Sequence, residues 1–365
     1  MPVELYVGQA ASGKTTFCVE EALRAARGLA QCPWVVVPGL LQEASWRRRL
    51  AARGQGALGV RVGTFYRLYA ACLTGAGVAH THIGDAVQYR LLRVLLDRVP
   101  LEHLGSLRNR PGFVSALQSL VGALRASLVD AAAFRSGVGN IGATPRLRDL
   151  AAIYSAYEEY LALNAWEDDE GLGWAALRAA QDGAGAVGLG ETLVVADGFD
   201  ALTPLEATFL RQLGDAGVRV VVAVTSAPES AAGLLGDRPN LRLQELEEML
   251  GTSARYTPRH AADGQPAGPA GALGHLRRFF FSAGSAPAPD PHETLVMIEA
   301  PDRAAEVRVA LRWLKSELLR APNRPDDLCL LARNLDAYRA TIVQIAEEYR
   351  LPIRLAGGLP LKDNP

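Results

Sequence analysis

At 365 residues, 49% apolar and 21% charged, with a net charge of −1, the chain has the makeup of two or three soluble globular domains. That charge balance excludes a whole-chain attraction to nucleic acid. No run nears the roughly 18 uninterrupted apolar residues of a membrane span, so no membrane contact is expected.

The first element is a short β-prone run, Leu5-Tyr6-Val7, which feeds Gly8-Gln9-Ala10-Ala11-Ser12-Gly13-Lys14-Thr15-Thr16. This fits G-x-x-x-x-G-K-[ST] at every fixed position and opens a helix, since Phe17, Val19, Ala22 and Leu23 fall on roughly one side. Glycines let several backbone N–H groups face an anion, and the helix N-terminus adds its positive dipole end. Lys14 is placed to reach the β- and γ-phosphates, and the Thr15 hydroxyl to ligate Mg²⁺. Lys14 is also the sole lysine before Lys315 in an otherwise arginine-based chain. A compact ammonium fits between two phosphates where a planar guanidinium fork is too wide. The sequence thus points to the triphosphate end of a nucleotide with Mg²⁺; a chance glycine loop is the plain alternative.

Pro33-Trp34-Val35-Val36-Val37-Pro38 reads as a second, fully buried strand, followed by a helix near 41–53 that carries Trp46-Arg47-Arg48-Arg49. Gly59–Phe65 reads as a third strand running into a helix from Tyr66. Over residues 1–80, Lys14 and eight arginines face four glutamates and no aspartate, a balance of +5 that allows a local basic face. From 84 to 182 strand-like runs vanish and leucine and alanine recur at helical spacing, predicting a helical insertion. Within it, Glu167-Asp168-Asp169-Glu170 reads as a solvated helix start rather than a metal site.

The α/β pattern returns with Thr192–Asp197, a helix at 204–213 and a strand at 218–225. Asp197 ends its strand and is the candidate second Mg²⁺ residue; a turn aspartate in Asp-Gly is the alternative. Residues 256–292, rich in Gly, Ala and Pro, read as linker. Strands at 294–300 and 327–333 and helices at 304–319 and 338–349 then begin a further unit. Two or three strands cannot complete a covered parallel sheet, so this unit is expected to continue beyond residue 365. The four cysteines (Cys18, Cys32, Cys72 and Cys329) have no C-x-x-C pairing and read as buried thiols of the reducing cytoplasm.

The run Gly8–Thr16, then Val35-Val36-Val37-Pro38, then Gly63-Thr64-Phe65-Tyr66-Arg67-Leu68, resembles the opening of UvrD-type superfamily-one helicases. Val195–Glu206, with Asp197-Gly198-Phe199 and Thr203-Pro204, is closer to the AddB-like subunits of bacterial helicase–nucleases, as are Ala300–Val307, Leu330–Tyr338 and Leu351-Pro352. The resemblance implies an α/β fold. A RecA-like P-loop domain with a parallel sheet (1–83 and 183–255) carries an all-helical insertion (84–182), and a second RecA-like domain starts at 293. It implies ATP between the two domains, with Arg333 directed at the γ-phosphate. It also implies that Thr64, Phe65 and Arg67 line a single-strand DNA path. For Phe65 a buried aromatic is an equal alternative.

The implied activity is a DNA-binding subunit acting on DNA ends in recombinational repair beside an active helicase–nuclease partner. The nuclease domain is expected outside these residues. One departure matters: UvrD-type motors have Asp-Glu where this chain has Asp197-Gly198. Without that glutamate, general-base help of about 10²–10⁴-fold is missing. No Gly-Asp-x-x-Gln sensor follows the strand at 218–225 either. Weak or absent motor activity is therefore expected, with no catalytic residue assigned. An active superfamily-one translocase and a non-DNA P-loop NTPase or kinase are the alternatives.

Overall fold

The computed structural model describes residues 3–355 except 9–10, 28–30, 54–57, 143, 184–188, 190–191, 226–237, 253–254, 257–270, 280–286, 288, 291–293 and 321–323. The chain divides into two compact units, Met1–Ala288 and Pro289–Pro365.

The first unit opens with β1 (Glu4–Gly8), α1 (Lys14–Ala25), β2 (Trp34–Val36), α2 (Leu40–Ala52), β3 (Arg61–Gly63) and α3 (Phe65–Gly75). A helical region follows: β4 (Thr81–His82), α4 (Asp85–Arg98), α5 (Pro111–Ala126), α6 (Ala131–Asn140), α7 (Pro145–Asn164), β5 (Trp166–Glu167) and α8 (Asp169–Gln181). The alternation then resumes with β6 (Leu193–Phe199), α9 (Pro204–Asp215), β7 (Arg219–Thr225), α10 (Arg238–Leu250), β8 (Arg255–Tyr256) and α11 (Gly271–Phe279). Most of the expected linker lies outside the described residues.

Six of these strands form one parallel sheet in the order β3-β2-β6-β7-β1-β8. Its strands read as unbroken apolar runs because both faces are covered. Side chains alternate across the sheet. Leu193, Val195, Val221 and Ala223 meet Cys18, Val19, Ala22, Trp46 and Leu50 of α1 and α2. Val194, Ala196, Val220 and Val222 meet residues of α3, α8, α9 and α10 on the other face. Helix α9 starts where Thr203 and Glu206 cap each other's backbone, with Pro204 in the first turn, which fixes the chain leaving β6. Helix α8 falls in the range expected for the insertion. It nonetheless turns Leu172, Ala176 and Leu177 into the sheet's core. Gly173 lets it in, since a Cβ there would lie 2.8 Å from Leu205 and 2.9 Å from Tyr69.

Helices α4, α5 and α7 surround a separate core that includes Leu92, Leu96, Val114, Ile153, Tyr154 and Tyr157. The chain enters and leaves this region side by side, where β4 pairs with β5. The acidic run does start a helix, for Asp168 caps α8 by accepting from the Gly171 N–H. The expectation that it is solvated is wrong at its centre: Asp168 is 2% exposed. The buried guanidinium of Arg125 pairs with Asp168, Glu158 and Glu167, and Tyr157 and Gln88 donate to Asp168. A charged run can be internal when an arginine from another helix meets it.

In the second unit, α12 (Arg303–Leu319) and α13 (Arg339–Glu348) pack through Val307 and Leu311 against Ile342, Ile345 and Ala346. The two runs expected as strands, 294–300 and 327–333, are not paired into a sheet among the described residues. Val296 and Met297 are 64% and 100% exposed. Strand propensity becomes a strand only against a neighbouring ladder, and the described part of this unit offers none. The four thiols also divide differently from expectation: Cys18 and Cys72 are buried, but Cys32 and Cys329 are exposed. No single helix among the described residues is long and apolar enough to cross a membrane.

Candidate functional site

The phosphate-loop motif forms a tight return between β1 and α1. Gly8 packs closely at its start, where a Cβ would lie 2.5 Å from Ser12 Oγ and would force that hydroxyl to turn away. Ala11 and Gly13 take left-handed backbone angles, φ 58° and 87°. Gln9 and Ala10 lie outside the described residues. Gly13 brings no capping side chain to the start of α1. The first turn of the helix, which holds Lys14, Thr15 and Thr16, therefore suits an anion. The Lys14 ammonium is buried and donates to the Gly8 carbonyl at 2.7 Å. Burial pulls its pKa down, and the Asp197 carboxylate opposes that shift.

Asp197 reaches this loop from two strands away, with β7 between β6 and β1. It is 3% exposed. The Trp46 indole N–H donates to its Oδ2 at 2.9 Å. Burial raises its pKa, with the neighbouring Thr15 side chain, the Trp46 hydrogen bond and the charges of Lys14 and Arg49 opposing. Lys14, Thr15 and Asp197 are thus brought together. Sequence reasoning misses Trp46 as a site residue. The one signal for it is a lone tryptophan in an arginine-rich helix that packs beside the Asp197 strand.

Gly198 is more than a missing glutamate. The β6–β7 register skips it, passing from the Asp197–Ala223 pair to Phe199–Val224, and its φ is +86°. It is a glycine bulge in a conformation that costs an L side chain roughly 1–2 kcal/mol. A glutamate placed at 198 would meet that strain even though Pro38 and Gln42 leave it room.

At the end of β3, the edge strand beyond β2, Thr64 precedes α3 and is half-buried. Phe65 is 6% exposed and packs on Tyr69 and Phe199, with ring centroids 5.7 and 5.4 Å away. Of its two readings, the core aromatic is the one observed, and its ring is not open to a base. The exposed aromatic is the next residue, Tyr66, 39% exposed and edge-on to His82. The Arg67 side chain is 53% exposed and reaches the buried Glu43 at 3.3 Å.

The family profile described as "ADDB, N-terminal" matches residues 5–238, well over half of the chain. The chain belongs to the AddB family. Similar proteins, each named as a subunit of an ATP-dependent helicase/deoxyribonuclease, occur in Desulforudis audaxviator (27% identical), Pelotomaculum thermopropionicum (26%) and Heliobacterium modesticaldum (27%). Each alignment covers 100% of this chain but only 32–33% of the relative, so the chain spans about a third of their length.

Against this AddB-family background, Arg333 lies in the second unit, exposed in the turn that precedes α13. Among the described residues no cluster of three His, Cys, Asp or Glu could hold a metal by itself. Any Mg²⁺ here would depend on Thr15, Asp197 and oxygens brought by a nucleotide.

Proposed function

We propose that this chain is the nucleotide-binding and DNA-binding front of a helicase–nuclease subunit, which processes DNA ends in recombinational repair with weak or absent motor activity. The observation that carries the reading is the meeting of Lys14, Thr15 and Asp197 at the carboxyl edge of a parallel sheet. One strand separates the phosphate-loop strand from the acidic strand, the order expected of a RecA-like domain. In this reading residues 1–83 and 183–255 form that domain, 84–182 its insertion, and 293–365 belong to a second one, which carries Arg333. Thr15 and Asp197 would hold Mg²⁺, which would neutralise charge on the phosphate oxygens. Lys14 would replace its contact with the Gly8 carbonyl by one to phosphate. The names of the relatives support a DNA substrate, a partner subunit and dependence on ATP; the free thiols fit the cytoplasm.

Hydrolysis is expected to be slow because the position after Asp197 carries no carboxylate and its backbone is shaped for glycine. Strong stimulation of ATPase by single-stranded DNA would instead favour an active translocase. Absence of DNA binding at low salt would favour a non-DNA NTPase.

The test is thermal unfolding with ATP–Mg²⁺. Ligand at a hundred times its dissociation constant stabilises by about 2.7 kcal/mol, and Lys14→Ala is expected to abolish the shift. An unchanged shift in that variant would put the nucleotide elsewhere.

A further inference from the structure

The helical region holds a cavity of about 500 Å³ that the nucleotide site leaves unused. It lies where the first turns of α4 and α8 meet the flank of α5. Its floor is fixed by buried polar side chains. Gln88 and Asp168 are 5% and 2% exposed, and the Gln88 amide donates to Tyr157 Oη at 3.1 Å and to Asp168 Oδ2 at 3.4 Å. Its wall is a run of small residues on α5, Gly122, Ala123 and Ala126, joined by the apolar Ile83.

The polar side chains around the cavity are alike in kind. Gln118 spends its amide hydrogens on the Asp85 carbonyl at 3.0 Å and on Gln88 Oε1 at 2.8 Å, which leaves its own carbonyl oxygen to accept. The Ser119 hydroxyl donates to the Ser115 carbonyl at 3.1 Å, so its oxygen is also left as an acceptor. The rest of the polar lining is four carboxylates, Asp85, Asp168, Asp169 and Glu170, and no basic side chain lines the cavity among the described residues. Arg125 compensates Asp168 at 3.1 Å, and His82 bonds Asp169 at 2.7 Å. Neither pairs with Asp85 or Glu170. Glu170 lies against the α5 wall, where a Cβ on Gly122 would be 3.5 Å from its Oε1. Burial, then the charge of Asp168, pushes its carboxyl up to about 7, and the charge of Arg125 is the weakest of the influences on it.

A cavity whose side chains have spent their donors and present acceptors calls for a ligand rich in donors and positively charged. Among the described residues no three carboxylates converge as a metal ion requires. The acids are divided between α4 and α8 instead, with the apolar surface of Ile83, Ala123 and Ala126 beside them. Separated ammonium groups joined by methylenes match that pattern, and the volume falls in the range of small-molecule sites, about 300–1,000 Å³. We propose that this cavity binds a linear aliphatic polyamine, with its ammonium groups taken by Asp85 and Glu170 and its methylene chain lying on the α5 wall. The site stands independently of the nucleotide-binding and DNA-binding readings above.

Calorimetric titration of the full chain with spermidine, without nucleotide, tests it. The salt is set at about 0.15 M, where exposed charges are screened beyond roughly 8 Å. Saturable binding of one spermidine per chain is expected, with no equivalent response to Mg²⁺ at the same concentration of charge. Glu170→Gln and Asp85→Asn should each weaken binding about tenfold or more, the loss expected for one charge-assisted hydrogen bond. Ala123→Leu keeps every charge and places a larger side chain in the cavity, so it should abolish binding. That variant separates a shaped site from the general pull of an acidic surface. Ala123 is exposed, so leucine there does not disturb the core, and a cooperative thermal transition shows that each variant is folded. No saturable binding, binding equalled by Mg²⁺, or unchanged binding in Glu170→Gln, Asp85→Asn or Ala123→Leu overturns the site.

Discussion

Asp168 and Asp197 are buried to nearly the same depth, 2% and 3% exposed, in the helical and sheet regions of the first unit. Asp168 is answered by fixed parts of the chain: the Arg125 guanidinium at 3.1 Å, the Tyr157 hydroxyl at 2.7 Å and the Gly171 N–H at 2.7 Å. Asp197 accepts from one neutral donor, the Trp46 indole, with Thr15, Lys14 and Arg49 also opposing its raised pKa. Its raised pKa records that burial outweighs this support. Two carboxylates buried alike thus differ in how completely their charge is compensated, and under the proposed function an incoming cation would complete the compensation at Asp197.

The comparison can be broken most severely at Arg125. Arg125→Met strands three carboxylates, two of them partly solvated, and is expected to cost about 3–5 kcal/mol in denaturant unfolding. A loss under about 1 kcal/mol would show that the Asp168 cluster does not depend on its arginine. Asp197→Asn should behave in the opposite way. At pH 8 it removes a disfavoured buried charge, so the Tm without ligand should not fall, yet the ATP–Mg²⁺ stabilisation of about 2.7 kcal/mol should vanish. A large fall in unliganded Tm would make Asp197 structural, like Asp168.

Trp46→Phe keeps the ring packing on α2 but leaves Asp197 short of a buried donor, an expected cost of about 1–3 kcal/mol. That cost should shrink in the Asp197→Asn background, a coupling that a double-mutant cycle measures.

The smallest effect belongs to Glu170, next to the Asp168 cluster. Burial first, then the charges of Asp168 and Asp169, raise its pKa from 4.5 to about 7. The folded chain thus holds this proton more tightly than the unfolded chain. The contribution of Glu170 to stability is full below pH 4.5, declines as pH rises toward about 7, and is flat above. Glu170→Gln should match the parent at pH 4 and exceed it at pH 8 by about 1 kcal/mol, a discounted figure for a half-buried group. Equal Tm values at both pH values would mean that Glu170 titrates normally.

How far these features can be read from the residues depends on their range in sequence. Gly8–Thr16 is contiguous, so its G-x-x-x-x-G-K-[ST] spacing is readable before any packing is known. The buried strands at 193–199 and 219–225 are legible for a similar reason: a strand covered on both faces must be apolar throughout. The Asp168 cluster is hidden from a reading of its own segment because its partner, Arg125, lies 43 positions earlier, on another helix. Phe65 is ambiguous in sequence because an aromatic at a strand end looks the same whether it faces solvent or Phe199.

The chain's order of residues alone established the G-x-x-x-x-G-K-[ST] motif, the interrupted α/β pattern and the absence of a glutamate after Asp197, since each is a local property of neighbouring side chains. Only the tertiary structure decided that Trp46 supports Asp197, that Gly198 is a left-handed bulge, that Glu43 meets Arg67, and that the apolar runs in the described part of the second unit stand unpaired. Those outcomes follow from which strands lie side by side. Hydrogen-bonded pairing and burial act between segments distant in sequence, and no local pattern of residues encodes them.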